Sequence, residues 1–333
     1  GKWKPHMAMT LITRLLCAAF LASIALAGVR ADDVVNGQGL LWKVEREGVP
    51  ASYIFGTMHS SDPRVLAIPE RVTRALTEAN TLVLELRTTG VEGVDAAQAL
   101  FQSMLLTDGR KLPDILGAKT YTAVAEALAE HGLPPPILEG IKPWGAYLLL
   151  TAPRPRENNG GQAGGRPAQV LDQVLEFHAQ DQDIRVAVLE TVHEQIAIFS
   201  GMAEEDMTQL VRELVAEAAA DGLNAHVGAY FETVTERYLA GDLASILVLS
   251  REQIPGSDAG LNTRLMRRLI DARNRRFAER LSETLPAGNT FVAVGALHLP
   301  GRTGLLNLLA SSGFTVSRVD IVVPRPPATE TED

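Results

Sequence analysis

Three short stretches combine a strand pattern with side chains that can do chemistry. They are Ser52-Tyr53-Ile54-Phe55-Gly56-Thr57-Met58-His59, Leu82-Val83-Leu84-Glu85-Leu86 and Phe291-Val292-Ala293-Val294-Gly295-Ala296-Leu297-His298. Each opens as an apolar run rich in β-branched or aromatic residues, the pattern of a buried strand. Two of them end in Gly-x-x-His. A glycine after a strand allows a tight turn or a close backbone approach. An imidazole three residues later then stands at the mouth of a sheet. The remaining run ends in Glu85 between two leucines, and a buried carboxylate needs a partner or a metal. Two imidazoles and a carboxylate at strand ends form a candidate divalent-metal site of His59, Glu85 and His298. A lone buried histidine is more often a hydrogen-bonded structural residue. Here the same device occurs twice, at distant points of the chain.

If those three side chains share one ion, a position stays open for water, as in catalytic rather than structural sites. The ion would lower the pKa of that water and polarise a carbonyl. Nitrogen and oxygen donors admit Zn, Mn or Co alike. Glu190, at the end of the apolar run Arg185–Leu189, is a candidate general base or further ligand. Its structural alternative is an N-cap-like partner of the helix that follows.

The elements that must carry these residues follow from local pattern. Leu40–Val44 and Ala51–Phe55 flank a turn with Gly48 and Pro50 and read as a hairpin delivering His59. Pro69 opens a helix to about Ala79, and Thr81–Leu86 is the next strand, so strand, helix and strand predict a βαβ unit. Residues 92–151 read as helical, broken at Leu133-Pro134-Pro135-Pro136, with Trp144, Tyr147 and Leu148 as core. Residues 154–167 are a Gly- and Pro-rich loop, and a helix carrying Asp172 follows. His193-Glu194 lacks a second histidine at 197, where Ala197 stands, so a zincin motif is excluded. Residues 203–250 read as three amphipathic helices, with Asp242 capping the third. Leu261–Leu285 is a long helix crowded by Arg264, Arg267, Arg268, Arg273, Arg275, Arg276 and Arg280, a charge run that predicts a solvated face. Thr290–Val294 leads to His298, a helix spans Thr303–Ser312, and Phe314–Val319 is a last strand. No reading assigns a role to His131, His178 or His226.

Gly56-Thr57-Met58-His59, Leu82–Leu86, Leu189-Glu190-Thr191, Arg273-Asn274 and Val294-Gly295-Ala296-Leu297-His298-Leu299-Pro300-Gly301 together resemble the motif set of the TraB/GumN family, over about residues 38–320. That family includes the Tiki metal-dependent proteases, which carry two Gly-x-x-His motifs and a glutamate. The resemblance implies an α/β fold: a mixed sheet carrying the two strand–Gly-x-x-His motifs, surrounded by helices, with a helical insertion over about 92–180. It sets Arg273 and Asn274 apart from the other arginines, with Arg273 placed to clamp a substrate carboxylate or an oxyanion. Family members often carry Gly-x-Asp in the first turn of the helix after the loop. Here Val170 takes the glycine position and Asp172 is retained.

Composition narrows the function classes. Of 333 residues, 46% are hydrophobic and 21% charged, enough for a sizeable core. Only 5% are aromatic, too few for base-stacking platforms. The formal net charge is −9. It becomes more negative without Lys2, Lys4, Arg14 and Arg30, which argues against nucleic acid as a partner. Residues 1–31 follow a secretory signal pattern: basic residues, the apolar run Leu15–Ala27, and Val29-Arg30-Ala31 before Asp32. The expected organisation is a signal peptide at 1–31, one α/β domain over 32–323, and a polar tail over 324–333. The expected location is periplasmic or secreted, with no membrane span after cleavage. The single cysteine, Cys17, lies in the leader, so the remainder has no thiol nucleophile or thiolate ligand. Two function classes follow. The first is an exported metal-dependent hydrolase, most simply a peptidase acting on peptide or protein substrates. The second is a non-catalytic binding or regulatory protein for a tetrapyrrole, a peptide or a polysaccharide-assembly partner.

Overall fold

The computed structural model describes residues 30–129, 132–152, 169–252 and 259–322. The expected leader, the 154–167 loop, the 324–333 tail and His131 lie outside the described residues, apart from the leader's last two residues.

Alternating burial and a short turn start the sheet. Strands β1 (Leu41–Arg46) and β2 (Val49–Thr57) pair antiparallel, with Arg46 opposite Val49 across Glu47-Gly48. Gly48 has a φ of 74°, the left-handed conformation that a two-residue hairpin turn requires. β3 (Thr81–Leu84), β4 (Arg185–Val188) and β5 (Thr290–Gly295) follow, and β6 (Thr315–Val319) closes the set. The order across the mixed sheet is β4-β3-β5-β2-β1-β6. β4, β3, β5 and β2 run parallel, whereas β1 lies antiparallel between β2 and β6. β3 and β5 are buried at every position, as continuous apolar strands covered on both faces must be.

The parallel register matters most for function. Thr57 lies opposite Gly295, and Leu84 lies opposite both Ala293 and Val188. The ladder then runs on past the strand ends, with Leu189 N–H donating to Leu84 O at 2.8 Å and Glu190 N–H to Glu85 O at 2.9 Å. The segments holding His59, Glu85, Glu190 and His298 therefore all leave the same carboxyl edge of the parallel strands. That edge is where open α/β sheets bind ligands.

Between β3 and β4 lie the helices Gly90–Met104, Leu112–Leu116, Ala118–Ala129, Pro135–Glu139, Pro143–Thr151 and Leu171–Asp181, the expected helical insertion. Trp144, Tyr147 and Leu148 are buried, and the Trp144 ring stacks on Phe199 at 6.4 Å. Ser245 N–H donates to Asp242 Oδ1 at 3.0 Å, so Asp242 caps its helix as expected. No helix among the described residues is long and apolar enough to cross a membrane.

The arginine-rich helix corrects one expectation. It comprises Ala259–Met266, a π-turn at Arg267–Asp271, and Ala272–Thr284. The wider π-turn shifts the helical phase just before Arg273. It brings Arg273, Asn274, Phe277 and Leu281 to the core. Arg267 and Arg275 are exposed as a solvated face requires. The others are not free. Arg264 pairs with Asp206 at 2.9 Å, and Arg268 donates to the carbonyls of Ala197 and Gly201. Arg276 binds Glu190, and Arg280 binds Glu194. Their spacing lies close to the helical repeat, so they form one side of the helix and dock it onto the segment after β4.

Candidate active site

The residues at the carboxyl edge form two clusters. The first lies past β2. At Gly56 a Cβ would meet Leu299 Cδ1 at 2.8 Å and Ala296 Cα at 3.1 Å. Only glycine therefore lets β2 pack this closely on the turn after β5. Beyond it, His59 turns onto the helix Leu171–Asp181, with Nδ1 3.1 Å from Asp172 Oδ2. Thr57 Oγ donates to the other oxygen, Asp172 Oδ1, at 2.8 Å. Burial works to raise the Asp172 pKa. The contacts from His59 and Thr57 outweigh it and hold the carboxyl below its ordinary range. The His59 and Asp172 side chains keep 15% and 18% of their surface exposed. His59 Nε2 is enclosed and has no hydrogen-bond partner among the described residues. A carboxylate on Nδ1 leaves Nε2 as the bare, proton-accepting nitrogen. The pairing was not legible in the sequence, since residues 59 and 172 come together only through the tertiary packing of two segments.

The second cluster is centred on Arg273, whose side chain is 2% exposed. Its Nε donates to both oxygens of Glu190, at 3.0 and 3.1 Å. Nη2 reaches Glu190 at 2.8 Å and also binds Glu85. Nη1 reaches Leu269 O at 3.2 Å and His298 Nε2 at 3.0 Å. Every N–H-bearing nitrogen of the guanidinium thus faces an acceptor inside the protein. Burial works to lower the Arg273 pKa, and the charges of Glu85 and Glu190 raise it beyond its ordinary value.

His298 sits in the turn Ala296–His298, fully buried, with the Phe277 ring 5.0 Å away. Its Nδ1 lies 2.6 Å from Asn274 Oδ1, and Asn274 Nδ2 donates to Thr303 O at 2.8 Å. The amide oxygen only accepts, so Nδ1 carries the proton and Nε2 accepts from Arg273. Burial, reinforced by the Arg273 charge and opposed by Glu190, holds the His298 pKa well below its usual 6.5, since a buried imidazole disfavours its charged form. Glu85 is held at both ends, since Oε1 accepts the Gly295 N–H at 2.7 Å.

The expected shared ion can be tested on this donor set. His59 suits a ligand, because its Nε2 lacks a partner and a carboxylate backs its Nδ1. Glu85 Oε1 and His298 Nε2 lie 3.6 Å apart, close enough to share a cation. The guanidinium of Arg273, however, already occupies the acceptors that would face it. Among the described residues no group of three or more histidine, aspartate or glutamate side chains is placed to hold a metal. As they stand, the residues do not fit the implied ion. The expected substrate clamp meets the same obstacle, because the Arg273 donors are spent internally.

Glu190 does not cap the helix after β4. Thr191 does, accepting from Glu194 N–H at 3.2 Å while Glu194 accepts from Thr191 N–H at 2.8 Å, a reciprocal capping box. Glu190 is buried between Arg273 and Arg276. His193 is exposed, His178 Nε2 lies 2.9 Å from Thr77 Oγ, and His226 lies 4.0 Å from Glu217, so none of them joins either cluster.

A model of the TraB/PrgY/gumN family matches residues 40–318. Among curated proteins, the chain is 24% identical to a sponge protein named "Metalloprotease TIKI homolog" (Amphimedon queenslandica), over 96% of this chain and 69% of the relative. It is 25% identical to human "Metalloprotease TIKI1", over 83% of this chain and 61% of the relative. It is also 25% identical to zebrafish (Danio rerio) "Metalloprotease TIKI2", over 83% of this chain and 60% of the relative. The chain thus spans about three fifths to two thirds of the length of these relatives. No solved structure matches.

Proposed function

Because the chain belongs to the TraB/PrgY/gumN family, and its curated relatives are named metalloproteases, we propose that it is a hydrolase of peptide or protein substrates working at the carboxyl edge of the sheet. The observation that carries this reading is the enclosed, unpartnered Nε2 of His59, backed by Asp172 on Nδ1. This is the arrangement of a general base. His59 Nε2 accepts a proton from water as the hydroxyl oxygen bonds to the substrate carbonyl carbon. Asp172 stabilises the resulting imidazolium. The proton then goes to the leaving nitrogen as the C–N bond breaks. The cluster of Glu85, Glu190, Arg273, Asn274 and His298 holds the floor of this edge in place.

The relatives' names also carry a metal, Zn, Mn or Co in chemical terms, and among the described residues only His59 is arranged to offer a ligand. No step is assigned to an ion. The apolar leader ahead of Asp32 supports export as part of the proposal, and N-terminal sequencing of the exported protein checks it.

The test is a peptide library screened with wild type and His59→Ala, each with chelator and with added Zn, Mn or Co. Cleavage by wild type that is lost in His59→Ala supports the reading. No cleavage under any condition, with a small molecule or peptide retained through purification, replaces it with the binding-protein reading.

A further inference from the structure

We propose that Arg273 is the resident cation of the second cluster: its guanidinium stands where a divalent ion shared by Glu85, Glu190 and His298 would stand, and removing it turns that cluster into a metal site. This inference is independent of whether the chain hydrolyses anything. Three observations converge on it. First, the guanidinium bridges Glu85 and Glu190 and donates to His298 Nε2, so it touches both buried carboxylates and the imidazole lone pair together. Second, Asn274 fixes the His298 tautomer that leaves Nε2 bare. That is the form a metal ligand needs, and Arg273 uses it. Third, Glu85 Oε1 and His298 Nε2 lie 3.6 Å apart without a hydrogen bond between them. Two acceptors facing each other inside a protein call for a positive charge nearby, and Arg273 supplies it.

A planar guanidinium with five donors satisfies two carboxylates and an imidazole without leaving a position for water. A divalent ion in the same place would leave one. Conversion to alanine removes the donors and leaves one nitrogen and up to four oxygen ligand atoms around a side-chain-sized cavity. Nitrogen and oxygen donors of this kind suit Mn, Co or Zn.

The experiment titrates the full purified chain with Co²⁺ and Mn²⁺, using calorimetry, the visible absorption of bound Co²⁺, and thermal melts. Wild type, Arg273→Ala, His298→Ala, Glu85→Gln and the double variant Arg273→Ala/His298→Ala are compared. The proposal expects any ion bound by wild type to be retained by His298→Ala and by Glu85→Gln. It expects Arg273→Ala to bind one further ion, on the order of tenfold or more tighter than wild type does at that cluster, and the double variant to lose it. If Arg273→Ala folds poorly, added Co²⁺ should raise its melting temperature and leave that of the double variant unchanged. The proposal is overturned if wild type binds an ion that His298→Ala or Glu85→Gln abolishes, because the metal then displaces the guanidinium. It is equally overturned if Arg273→Ala, folded or not, gains neither binding nor stability from either ion.

Discussion

The two histidines that close the Gly-x-x-His motifs end in opposite environments. His59 leaves β2 toward the helix Leu171–Asp181, keeps part of its surface, and has one nitrogen without a partner among the described residues. His298 leaves β5 into a short turn beneath the arginine-rich helix, is fully buried, and has Asn274 and Arg273 on its two nitrogens. The motif is the same and the register brings both segments to one edge. What differs is the element packed on top. A partly exposed side chain with an unsatisfied acceptor is available for proton transfer. An imidazole pinned at both nitrogens organises its neighbours instead.

The largest expected effect breaks the closed cluster. Among the described residues, Arg273→Met removes the only basic side chain bound to Glu85 and one of two bound to Glu190, leaving buried charge uncompensated. Losing one partner of a buried network costs about 3–5 kcal/mol. Equilibrium denaturation in urea should show that loss. A change smaller than about 1 kcal/mol would mean that Glu85 and Glu190 find solvent or another partner, and that the cluster is not closed.

The next effect concerns the open cluster, and it should fall on activity rather than stability. His59→Ala should lower kcat/KM by about 10²–10⁴-fold, the usual worth of a general base. Its melting temperature should stay near that of wild type, because no hydrogen bond to Nε2 is lost. If stability falls as far as in the Arg273 variant, the two histidines are alike and the contrast fails.

Asp172→Asn sharpens the same point with a smaller effect. The amide oxygen can still accept from Thr57, while the amide N–H now donates to His59 Nδ1. The proton then moves to Nε2, which stops being a base. Activity should fall by part of the His59→Ala loss, roughly tenfold or more. The ¹⁵N shifts of the His59 ring should report the tautomer change whether or not a substrate is known. Unchanged ring shifts would detach Asp172 from His59.

Much of this arrangement was legible in the sequence. The continuous apolar runs of β3 and β5 and the Gly48 turn declared the sheet, and the position of Glu85 and both histidines just past strand ends declared the site edge. The strand order was not legible, because β5 enters between β3 and β2 from the far end of the chain. Nor was the fate of the arginines. Local charge density predicts a solvated face, yet whether Arg276 and Arg280 meet water or Glu190 and Glu194 depends on what packs beside them. The π-turn at Arg267–Asp271 carries no composition signal, and it sets which residues of that helix face inward. The pairing of His59 with Asp172 instead of Glu85 is likewise a tertiary fact.

The smallest effect lies at the border between the two clusters and is a pH dependence. Glu194 caps its own helix through Thr191 and is gripped by Arg280, with Arg276 adding a weaker attraction. The Arg280 hydrogen bonds, opposed by partial burial and helped by the Thr191 N–H, lower its pKa from 4.5 to about 2. A carboxyl whose folded pKa is depressed contributes stability that is present above its unfolded pKa and lost as pH falls through the folded one. The contribution should therefore be complete above about pH 4.5 and fade between 4.5 and 2. The side chain is 28% exposed. Solvent therefore screens the pair, and the effect should be well below the full value of the shift. Glu194→Gln keeps an oxygen for the Thr191 N–H and removes the charge, so the cap survives while this part of the pH dependence goes. Melting curves for wild type and Glu194→Gln should converge as pH drops from 4.5 toward 2. Parallel curves over that range would show that Arg280 holds the helix through the Leu189 carbonyl and that its ion pair with Glu194 adds nothing measurable.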